Sequence, residues 1–414
     1  MKKLLVLLLL SSSVLSGQTL NEMHARSIKA YKRDDFKLFL EWTKRLDSIR
    51  PSHPSYTYNL AAAYALNQQP ERAIAMLKKS ILMDGSTAYE QDKDFVSLHN
   101  LAGFQQLAQY KTTVQQPVST SAKVVSLSEK DLHPEGLCYL AKKKKWLAGS
   151  VRKGKIVVFD LKSGECIDWL DTDLPVFSIK ADEDEKYLWA ATAAVPEMEG
   201  FDLKWDGRGE VLKIEIKSKT IVARFKAPGK HVFGDLIVAR DGAVYVSDSE
   251  NPVVYKIEGD AMIPWFRLND RIYSFQGLTF NADQSKIYLA DYLSGIVEIP
   301  VAAPKAFRFL SMPDGTVEKG IDGLVWFDQS LIAIHNGVKP IRVIRYKMDG
   351  AGNLVGYETI DNNRPEFAEP TLGTVAKDAF YFFGNCPWPA YDIRHQLDLS
   401  KLQAPELYSF RLRK

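Results

Sequence analysis

The chain has 414 residues, 46% of them hydrophobic, which is enough apolar material for more than one packed domain. Its net charge is only +3, and residues of both signs are mixed throughout, so the composition argues against a nucleic-acid partner. Three widely spaced cysteines, Cys138, Cys166 and Cys386, are not a disulfide scaffold.

Residues 1–17 have the pattern of a secretory signal peptide. Two lysines precede a short leucine-rich run, and small residues follow the run. The run is too short to span a bilayer, and no later apolar segment is long enough either. We therefore expect cleavage near residues 16–18 and export of a soluble protein that is periplasmic or secreted. A retained membrane anchor is the alternative.

Residues 18–110 have helical periodicity and almost no glycine. In the stretch 58–86, Leu60 and Ala61 share one helical face and Ala73 and Leu77 share the next, with a turn at Gln68-Gln69-Pro70 between them. This spacing resembles a tetratricopeptide repeat, flanked by two less regular helical segments. The pattern predicts a small α-helical domain that binds or packs against a protein partner.

Residues 111–121 are polar and are predicted to form a linker. From residue 122 to 414 the period changes to two, with frequent glycines, as is typical of an all-β domain. One hairpin unit occurs six times there. The aliphatic residues near the hairpin entrances are spaced 42 to 57 residues apart, and they are Leu137, Ile179, Leu236, Leu278, Leu324 and Leu372.

Four-stranded units that repeat at this length predict a six-bladed β-propeller, whereas a β-sandwich would need six similar hairpins by chance. A spare strand at residues 123–129 precedes the first hairpin. We expect it to complete the last blade beside the C-terminal strand and so to close the ring.

The repeat also predicts where a site lies, because all hairpin entrances and exits meet at one end of the central channel. The entrance positions, in blade order, are Glu135, Phe177, Gly234, Gln276, Asp322 and Pro370. The exit positions are Ser150, Thr192, Asp248, Asp291, Asn336 and Asn385. Carboxylate and amide oxygens that converge in this way suit a divalent cation, Ca²⁺ before Mg²⁺. The alternative is that each is a turn or capping residue.

Several of these motifs resemble the regucalcin/gluconolactonase family of six-bladed propellers, which has kin among paraoxonases and strictosidine synthase-like proteins. The motifs are "PEGL" at 134–137, "GDLIVARDGAVYVSD" at 234–248, "QGLTFNADQSKIYLAD" at 276–291 and "DGLVW" at 322–326. The resemblance covers residues 122–414 and implies one divalent metal. Its ligands would be Glu135, Asp322 and, where the family has asparagine, Gln276.

Two other positions bear on that implied site. Where many family members have Asn-Asp in the third blade, this chain has Gly234 and Asp235. The stretch "IAIHNG" at 332–337 resembles a paraoxonase segment with a histidine near the metal, so His335 is a candidate. The alternative for His335 is an outward-facing residue at a strand end.

Two functions remain open at this point. The first is a metal-dependent hydrolase of lactones or related esters, with Asp322 or Asp235 taking the proton from water and His335 as the base in a paraoxonase-like variant. The second is a non-catalytic module that binds a sugar, a peptide or an envelope protein. Trp205, Trp388 and Tyr391 are predicted either to line a sugar-like ligand or to cover the rim.

Overall fold

The structure, a computed structural model, describes residues 19–412. The predicted signal peptide therefore lies outside the described residues. The N-terminal part is helical, and a short 3-10 helix (Lys93–Leu98) precedes its last helix. The five α-helices are α1 (Leu20–Tyr31), α2 (Phe36–Ile49), α3 (Pro54–Leu66), α4 (Pro70–Met83) and α5 (Ala102–Gln115).

Local sequence explains where these helices begin and end. Thr19 and Glu22 form a reciprocal capping box at the start of α1. Between α3 and α4, Gln68 adopts a positive φ of 56°, and Pro70 occupies the first turn of α4. Each helix contacts the next along the chain, which confirms a helical domain, while its likeness to a tetratricopeptide repeat remains a prediction. No helix within residues 19–412 is both long and apolar enough to cross a bilayer.

The segment predicted as a linker, residues 111–121, is largely regular structure. Helix α5 continues through it to Gln115, because Val114 is buried against the helical core while the polar side chains around it face solvent. Strand β1 (Val118–Ser119) then pairs with a strand of the fifth blade. Polar composition alone did not distinguish a solvent-facing helix from a linker.

The remaining strands form the six predicted blades, and a closing strand, β2 (Ala122–Ser126), precedes them. Blades one to three contain β3 (Pro134–Leu140), β4 (Lys145–Ser150), β5 (Lys155–Phe159) and β6 (Cys166–Asp171); β7 (Val176–Ala181), β8 (Tyr187–Ala193), β9 (Gly209–Glu215) and β10 (Thr220–Phe225); β11 (Phe233–Val238), β12 (Val244–Asp248), β13 (Val253–Glu258) and β14 (Ala261–Arg267).

Blades four to six complete the ring. They contain β15 (Phe275–Phe280), β16 (Lys286–Asp291), β17 (Gly295–Pro300) and β18 (Arg308–Phe309); β19 (Ile321–Trp326), β20 (Ser330–His335), β21 (Arg342–Met348) and β22 (Leu354–Asn362); β23 (Gly373–Ala376), β24 (Ala379–Phe383) and β25 (Glu406–Arg411). Short 3-10 helices occur at Leu203–Trp205, Pro304–Ala306, Trp388–Ala390 and Leu399–Lys401.

The innermost strands form a closed ring, which confirms the six-bladed β-propeller. Strand β3 contacts β7, and the contacts continue through β11, β15, β19 and β23 back to β3. Strand β2 pairs antiparallel with β25 and so provides the outer strand of blade six, as the sequence predicted. Blade five has a fifth strand, because β1 pairs with the edge of β22.

The helical domain packs against blade five through backbone and side-chain contacts. The amide of Gly85 donates to Lys339 O at 2.6 Å, and the amide of Lys339 donates to Met83 O at 2.9 Å. Val317 and Val338 of the propeller are buried in the same apolar cluster as the helices. The two parts therefore share one hydrophobic core on this side of the molecule.

Candidate functional site

A cavity of about 300 Å³ lies where the hairpin entrances converge. Five of the six predicted entrance residues line it, and in blade six Glu369 takes the place of its neighbour Pro370. The lining residues are Glu135, Phe177, Val232, Gly234, Ser249, Ser274, Gln276, Gly277, Tyr292, Asp322, Asn336, Glu369, Leu372 and Trp388. A volume of this size is within the range of small-molecule pockets.

A β-bulge at each of five entrances turns the entrance residue towards the channel. The pairing register of the first hairpin shifts between Pro134 and Leu137, around Glu135, and the fifth hairpin shifts between Ile321 and Leu324, around Asp322. Blades two, three and four have bulges at the corresponding place. Bulges re-aim side chains that regular alternation would point elsewhere.

Three carboxyl groups, from blades one, five and six, line this cavity. Burial and the nearby charge of Asp322 raise the pKa of Glu135 well above its usual range. Burial, together with the charges of Glu369 and Asp235, raises the pKa of Asp322 to about 7. Burial also raises the pKa of Glu369. Among the described residues that line the cavity there is no Lys, Arg or His to neutralise them.

Glu135 and Asp322 are each fixed by one hydrogen bond. The indole Nε1 of Trp388 donates to Glu135 Oε1 at 2.6 Å. The side-chain Nδ2 of Asn336 donates to Asp322 Oδ2 at 2.6 Å. The other amide atom of Asn336, Oδ1, is buried and has no partner within residues 19–412. Such an acceptor is available to an ordered water molecule, a cation or a donor group of a ligand.

Gln276 lines the cavity, but its amide already has partners. Ser249 Oγ donates to Gln276 Oε1 at 3.3 Å, and Gln276 Nε2 donates to Ser274 Oγ at 3.1 Å. Gly234 makes room for this arrangement, because a Cβ there would lie 2.6 Å from Ser249 Oγ. The glycine and the glutamine are thus coupled through Ser249.

Asp235 is placed behind the cavity wall. Its Oδ1 accepts from Ser178 Oγ at 2.6 Å and from the amide of Leu236 at 2.8 Å, and its Oδ2 accepts from the amide of Leu278 at 3.1 Å. These donors belong to blades two, three and four, so the carboxylate joins the inner strands of three blades. Gly234, the neighbouring residue in the strand, faces the cavity instead.

His335 is not among the lining residues. It is buried inside blade five, where Nε2 lies 2.9 Å from Tyr346 Oη and Nδ1 lies 3.2 Å from Lys319 O. Burial and the charge of Arg342 lower its pKa to about 3, so the ring is neutral. The next residue, Asn336, reaches the cavity, because successive side chains of a strand point to opposite faces. This geometry does not favour His335 as the base, and the residue does not face outward either.

Five of the six predicted exit residues make structural hydrogen bonds and do not line the cavity. Asp248 Oδ1 accepts the amides of Glu250 and Asn251, and Asp291 Oδ1 accepts those of Leu293 and Ser294. Asn385 bridges two loop segments through Ala404 O and the amide of Glu406. Ser150 and Thr192 donate to the backbone carbonyl groups of Leu132 and Glu210. Only Asn336 among the predicted exit residues lines the cavity.

The predicted rim aromatics take different positions. Trp388 is a wall of the cavity through its contact with Glu135. Tyr391 lies behind it, 3.1 Å from His133 Nδ1 through its hydroxyl. Trp205 packs near Met198 in the long insertion of blade two, away from the cavity lining.

From the sequence, Glu369 is expected only as a carboxylate one residue from an entrance, and no role is expected for Tyr292. Each follows or precedes a repeat position by one residue, and that adjacency was the available signal. Burial and the charges of Asp322 and Glu369 raise the pKa of Tyr292, so its hydroxyl remains a proton donor. No described hydrogen-bond donor contacts the Glu369 carboxylate.

Within residues 19–412, no three side chains of His, Cys, Asp or Glu lie close enough together to form a metal site by themselves. Cys138, Cys166 and Cys386 are free thiols, in agreement with the prediction that they form no disulfide scaffold, and Cys138 and Cys386 are buried. A cation in the cavity would therefore need amide oxygens or water as further ligands.

No protein-family model and no curated protein sequence matches the chain. Several solved structures are similar in fold. A regucalcin from Agrobacterium tumefaciens, described as calcium-binding, is 13% identical with a TM-score of 0.48, over 72% of this chain and 97% of that one. A luciferin-regenerating enzyme is 14% identical with a TM-score of 0.49, over 71% and 95% of the two chains.

A virginiamycin B lyase from Staphylococcus aureus is also similar, with 14% identity and a TM-score of 0.46, over 62% of this chain and 80% of that one. At such identities these likenesses concern the fold alone.

Proposed function

We propose that the cavity at the channel mouth hydrolyses lactones or related esters with the help of a bound divalent cation, Ca²⁺ being the expected ion. The observation that supports this proposal is the meeting of Glu135, Asp322 and Glu369 in a cavity lined by no described basic residue. Burial, together with repulsion between carboxylates, raises the pKa of Glu135 and Asp322. A divalent cation would relieve that repulsion and hold the ionised forms.

The donor set fits a hard cation. Glu135 and Asp322 each use one oxygen in a hydrogen bond, which leaves the second oxygen for a ligand. The unpartnered Asn336 Oδ1 adds an amide oxygen beside them. Carboxylate and amide oxygens are the ligands that Ca²⁺ prefers. We therefore propose Glu135, Asp322 and Asn336 as ligands, with Gln276 as a further ligand only if its contact with Ser249 is given up.

When bound, such an ion polarises the carbonyl oxygen of an ester and stabilises negative charge on it. Glu369 is the proposed general base for the attacking water, because no described donor holds its carboxylate and burial raises its pKa above the usual range. The protonated hydroxyl of Tyr292 is placed to donate a proton within the same cavity. Phe177 and Trp388 supply apolar walls for the substrate.

We do not propose a catalytic role for two of the residues predicted from sequence, Asp235 and His335. All donors around Asp235 hold its carboxylate in the blade framework. His335 has both ring nitrogens in contact with groups of its own blade. We assign both residues a structural part, in keeping the inner strands of their blades in place.

The proposal is tested with purified full-length protein, by thermal unfolding with and without Ca²⁺ and by hydrolysis of a panel of lactones and aryl esters. We expect Ca²⁺ to raise the melting temperature. Glu135→Gln and Asp322→Asn should abolish that rise and lower kcat/KM by about 100-fold or more. Glu369→Gln should lower the rate by a similar factor and still respond to Ca²⁺.

Glu250→Gln is the matched control, since Glu250 is an exposed carboxylate in a loop near the cavity. It should behave like the unmodified protein in both measurements. An Asp322→Asn variant that keeps its hydrolysis rate and its response to Ca²⁺ would refute the assignment.

A second function is favoured by a specific observation. Gly234 offers no ligand, and the oxygen of Gln276 accepts from Ser249 instead of pointing to an unfilled position. These two features support a non-catalytic module that binds a sugar, a peptide or an envelope protein at the same mouth. A melting temperature that Ca²⁺, Mg²⁺, Zn²⁺ and Mn²⁺ all leave unchanged, together with no hydrolysis of any ester, would favour this second function over the first.

A further inference from the structure

Arg342 is a buried cation without a counter-charge. Its side chain lies at the start of β21, and the residue is only 6% exposed. One guanidinium nitrogen, Nη2, donates to Leu82 O of the helical domain at 2.7 Å. Another, Nε, is buried and has no hydrogen-bond partner within residues 19–412. No described Asp or Glu forms an ion pair with it, although burial of an unpaired charge is costly.

Arg342 lines a separate cavity of about 290 Å³ between α5 and blade five. Tyr110 and Thr113 of α5 form one side, and Tyr357 and Thr359 of β22 form part of the other. Ligands bind preferentially at interfaces between domains, and this cavity lies where the helical domain meets the propeller. It shares none of its lining residues with the cavity at the channel mouth.

Asn362 also lines this cavity, and its side chain has a second unsatisfied atom. It is the cross-strand partner of Arg342, so the two side chains are neighbours on one face of the sheet. Its Nδ2 donates to Val114 O at 3.0 Å and to Gln116 O at 2.6 Å. Its Oδ1 is buried and has no partner in the described part of the chain. One orphaned donor and one orphaned acceptor are therefore side by side.

We propose that this cavity binds the carboxylate or phosphate group of a small molecule that carries a hydroxyl group beside the anionic one. The anionic group accepts from the Arg342 guanidinium, and the hydroxyl donates to Asn362 Oδ1. Arginine suits planar anions because its donors form a rigid fork. Tyr110 and Tyr357 enclose the rest of the ligand. The bound anion contacts both domains, so it stabilises their docking.

An ordered water molecule is a simpler occupant of this cavity than an anion, and the two occupants differ in charge. Water can bridge Arg342 Nε and Asn362 Oδ1, but it leaves the guanidinium charge uncompensated. Stabilisation that depends on the anion at constant ionic strength is therefore expected for the anion site and not for a water-filled cavity.

The test is thermal unfolding of the full-length protein with rising phosphate, lactate or acetate, at an ionic strength held constant with sodium chloride. We expect a saturable rise in melting temperature with phosphate or lactate, and a weaker one with acetate, which lacks the hydroxyl. Phosphate alone, or lactate alone, would identify which anionic group the site accepts. No rise with any of the three would overturn the proposal.

Arg342→Gln should weaken binding of the anion by about tenfold or more, because it removes the charged donor. Arg345→Gln is the matched control: it makes the same charge change on the same strand, at a residue that contacts Ser330 on the opposite face. It should keep the response.

Since Arg342→Gln also removes the contact with Leu82, a second variant separates folding from binding. Thr359→Glu places a carboxylate in the cavity as an internal substitute for the ligand, so it should abolish the anion response without lowering the melting temperature. An Arg342→Gln or Thr359→Glu protein that still responds like the unmodified protein would contradict the proposal.

Discussion

The surroundings of a buried polar side chain in this molecule differ chiefly in how many hydrogen-bond partners remain to it. Glu135 and Asp322 each accept one hydrogen bond from a side chain, and the charge of Asp322 acts on Glu135 in the channel mouth. Asp235, only one strand position from the same mouth, has three donors and serves the framework. The same carboxyl group therefore has different surroundings at these positions, and the number of donors around each carboxylate separates the proposed ligands from the residue to which we assign a structural role.

His53 offers a test of this principle outside the site. It occupies the N-cap of α3 without capping it, and its Nδ1 is buried without a partner in the described residues. Burial, and the charge of Arg50, lower its pKa to about 4. Between pH 6.5 and about 4 the unfolded chain binds a proton at His53 that the folded chain does not. Stability is therefore lost as the pH falls through this range.

We predict that His53→Asn stabilises the protein, because asparagine is a strong N-cap, by about 1 kcal/mol at neutral pH. Its advantage should grow as the pH is lowered from 7 to 4.5, since asparagine does not titrate. Urea unfolding at several pH values measures both effects. His99→Asn, at an exposed histidine of the same domain, is the control, and an equal gain there towards low pH would count against the assignment to His53.

The residues of the site could be predicted only where the repeat fixed them. Glu135, Gln276 and Asp322 share one repeat position, and they do line one cavity. The positions of Asp235 and His335 could not be predicted in the same way. A bulge, or a shift of one residue along the strand, changes the face of the sheet to which a side chain points. Trp388 holds Glu135, and Ser249 holds Gln276. Both partners lie outside the strands, so the hairpin repeat does not predict them.

At the scale of the strand and the hairpin, glycine sets how closely neighbouring blades approach. Gly277 follows the entrance residue of blade four, and a Cβ there would lie 2.5 Å from Asp322 O of the next blade. Gly323 has the same place in blade five, with a Cβ only 2.3 Å from Thr371 O. The dipeptides "QG" and "DG" thus combine a side chain for the cavity with a glycine for blade packing.

We predict that Gly323→Ala destabilises the protein by about 1–3 kcal/mol, because backbone of the adjacent blade must move to admit the methyl group. Gly356→Ala is the control, since a Cβ at that strand position meets nothing within 4 Å. It should change the free energy of unfolding by no more than about 0.5 kcal/mol. Chemical denaturation of both variants gives the comparison, and equal losses would show that close approach of the blades is not the cause.

The blades were predictable because their period and glycine spacing survive in the sequence. The C-terminal end of α5 was not predictable, because residues 111–115 are polar apart from Val114, which alone marks the buried side of the helix. The pairing of β1 with blade five depends on a neighbour that is distant in the chain. Elements that depend on such long-range contacts leave little local signal.

For the molecule as a whole, one strand pairing holds the ring closed. Strand β2 comes before the first blade and pairs with β25 in the last one. Val125 of β2 is buried in the cluster that contains residues of blades one and six. The helical domain packs on blade five and leads directly into this closure, so docking and ring closure are neighbours along the chain.

We predict that Val125→Asp lowers the free energy of unfolding by on the order of 3 kcal/mol, because it places a charge in an apolar cluster at the closure. Ala122→Asp, at an exposed position of the same strand, should have little effect. Equilibrium denaturation followed by tryptophan fluorescence measures both. A mild effect of Val125→Asp would mean that the ring is held by the other blade contacts.

Closure of the ring also has to wait for the end of chain synthesis. Strand β2 leaves the ribosome long before β25, and the ion pair between Lys123 and Glu406 joins positions 283 residues apart. Until the last strand emerges, β2 and the outer edge of β24 both lack a neighbour, and unpaired edges invite association with other chains. The nascent propeller therefore has a period of vulnerability that ends only with its final strand, and a chaperone that shields strand edges would act during that period.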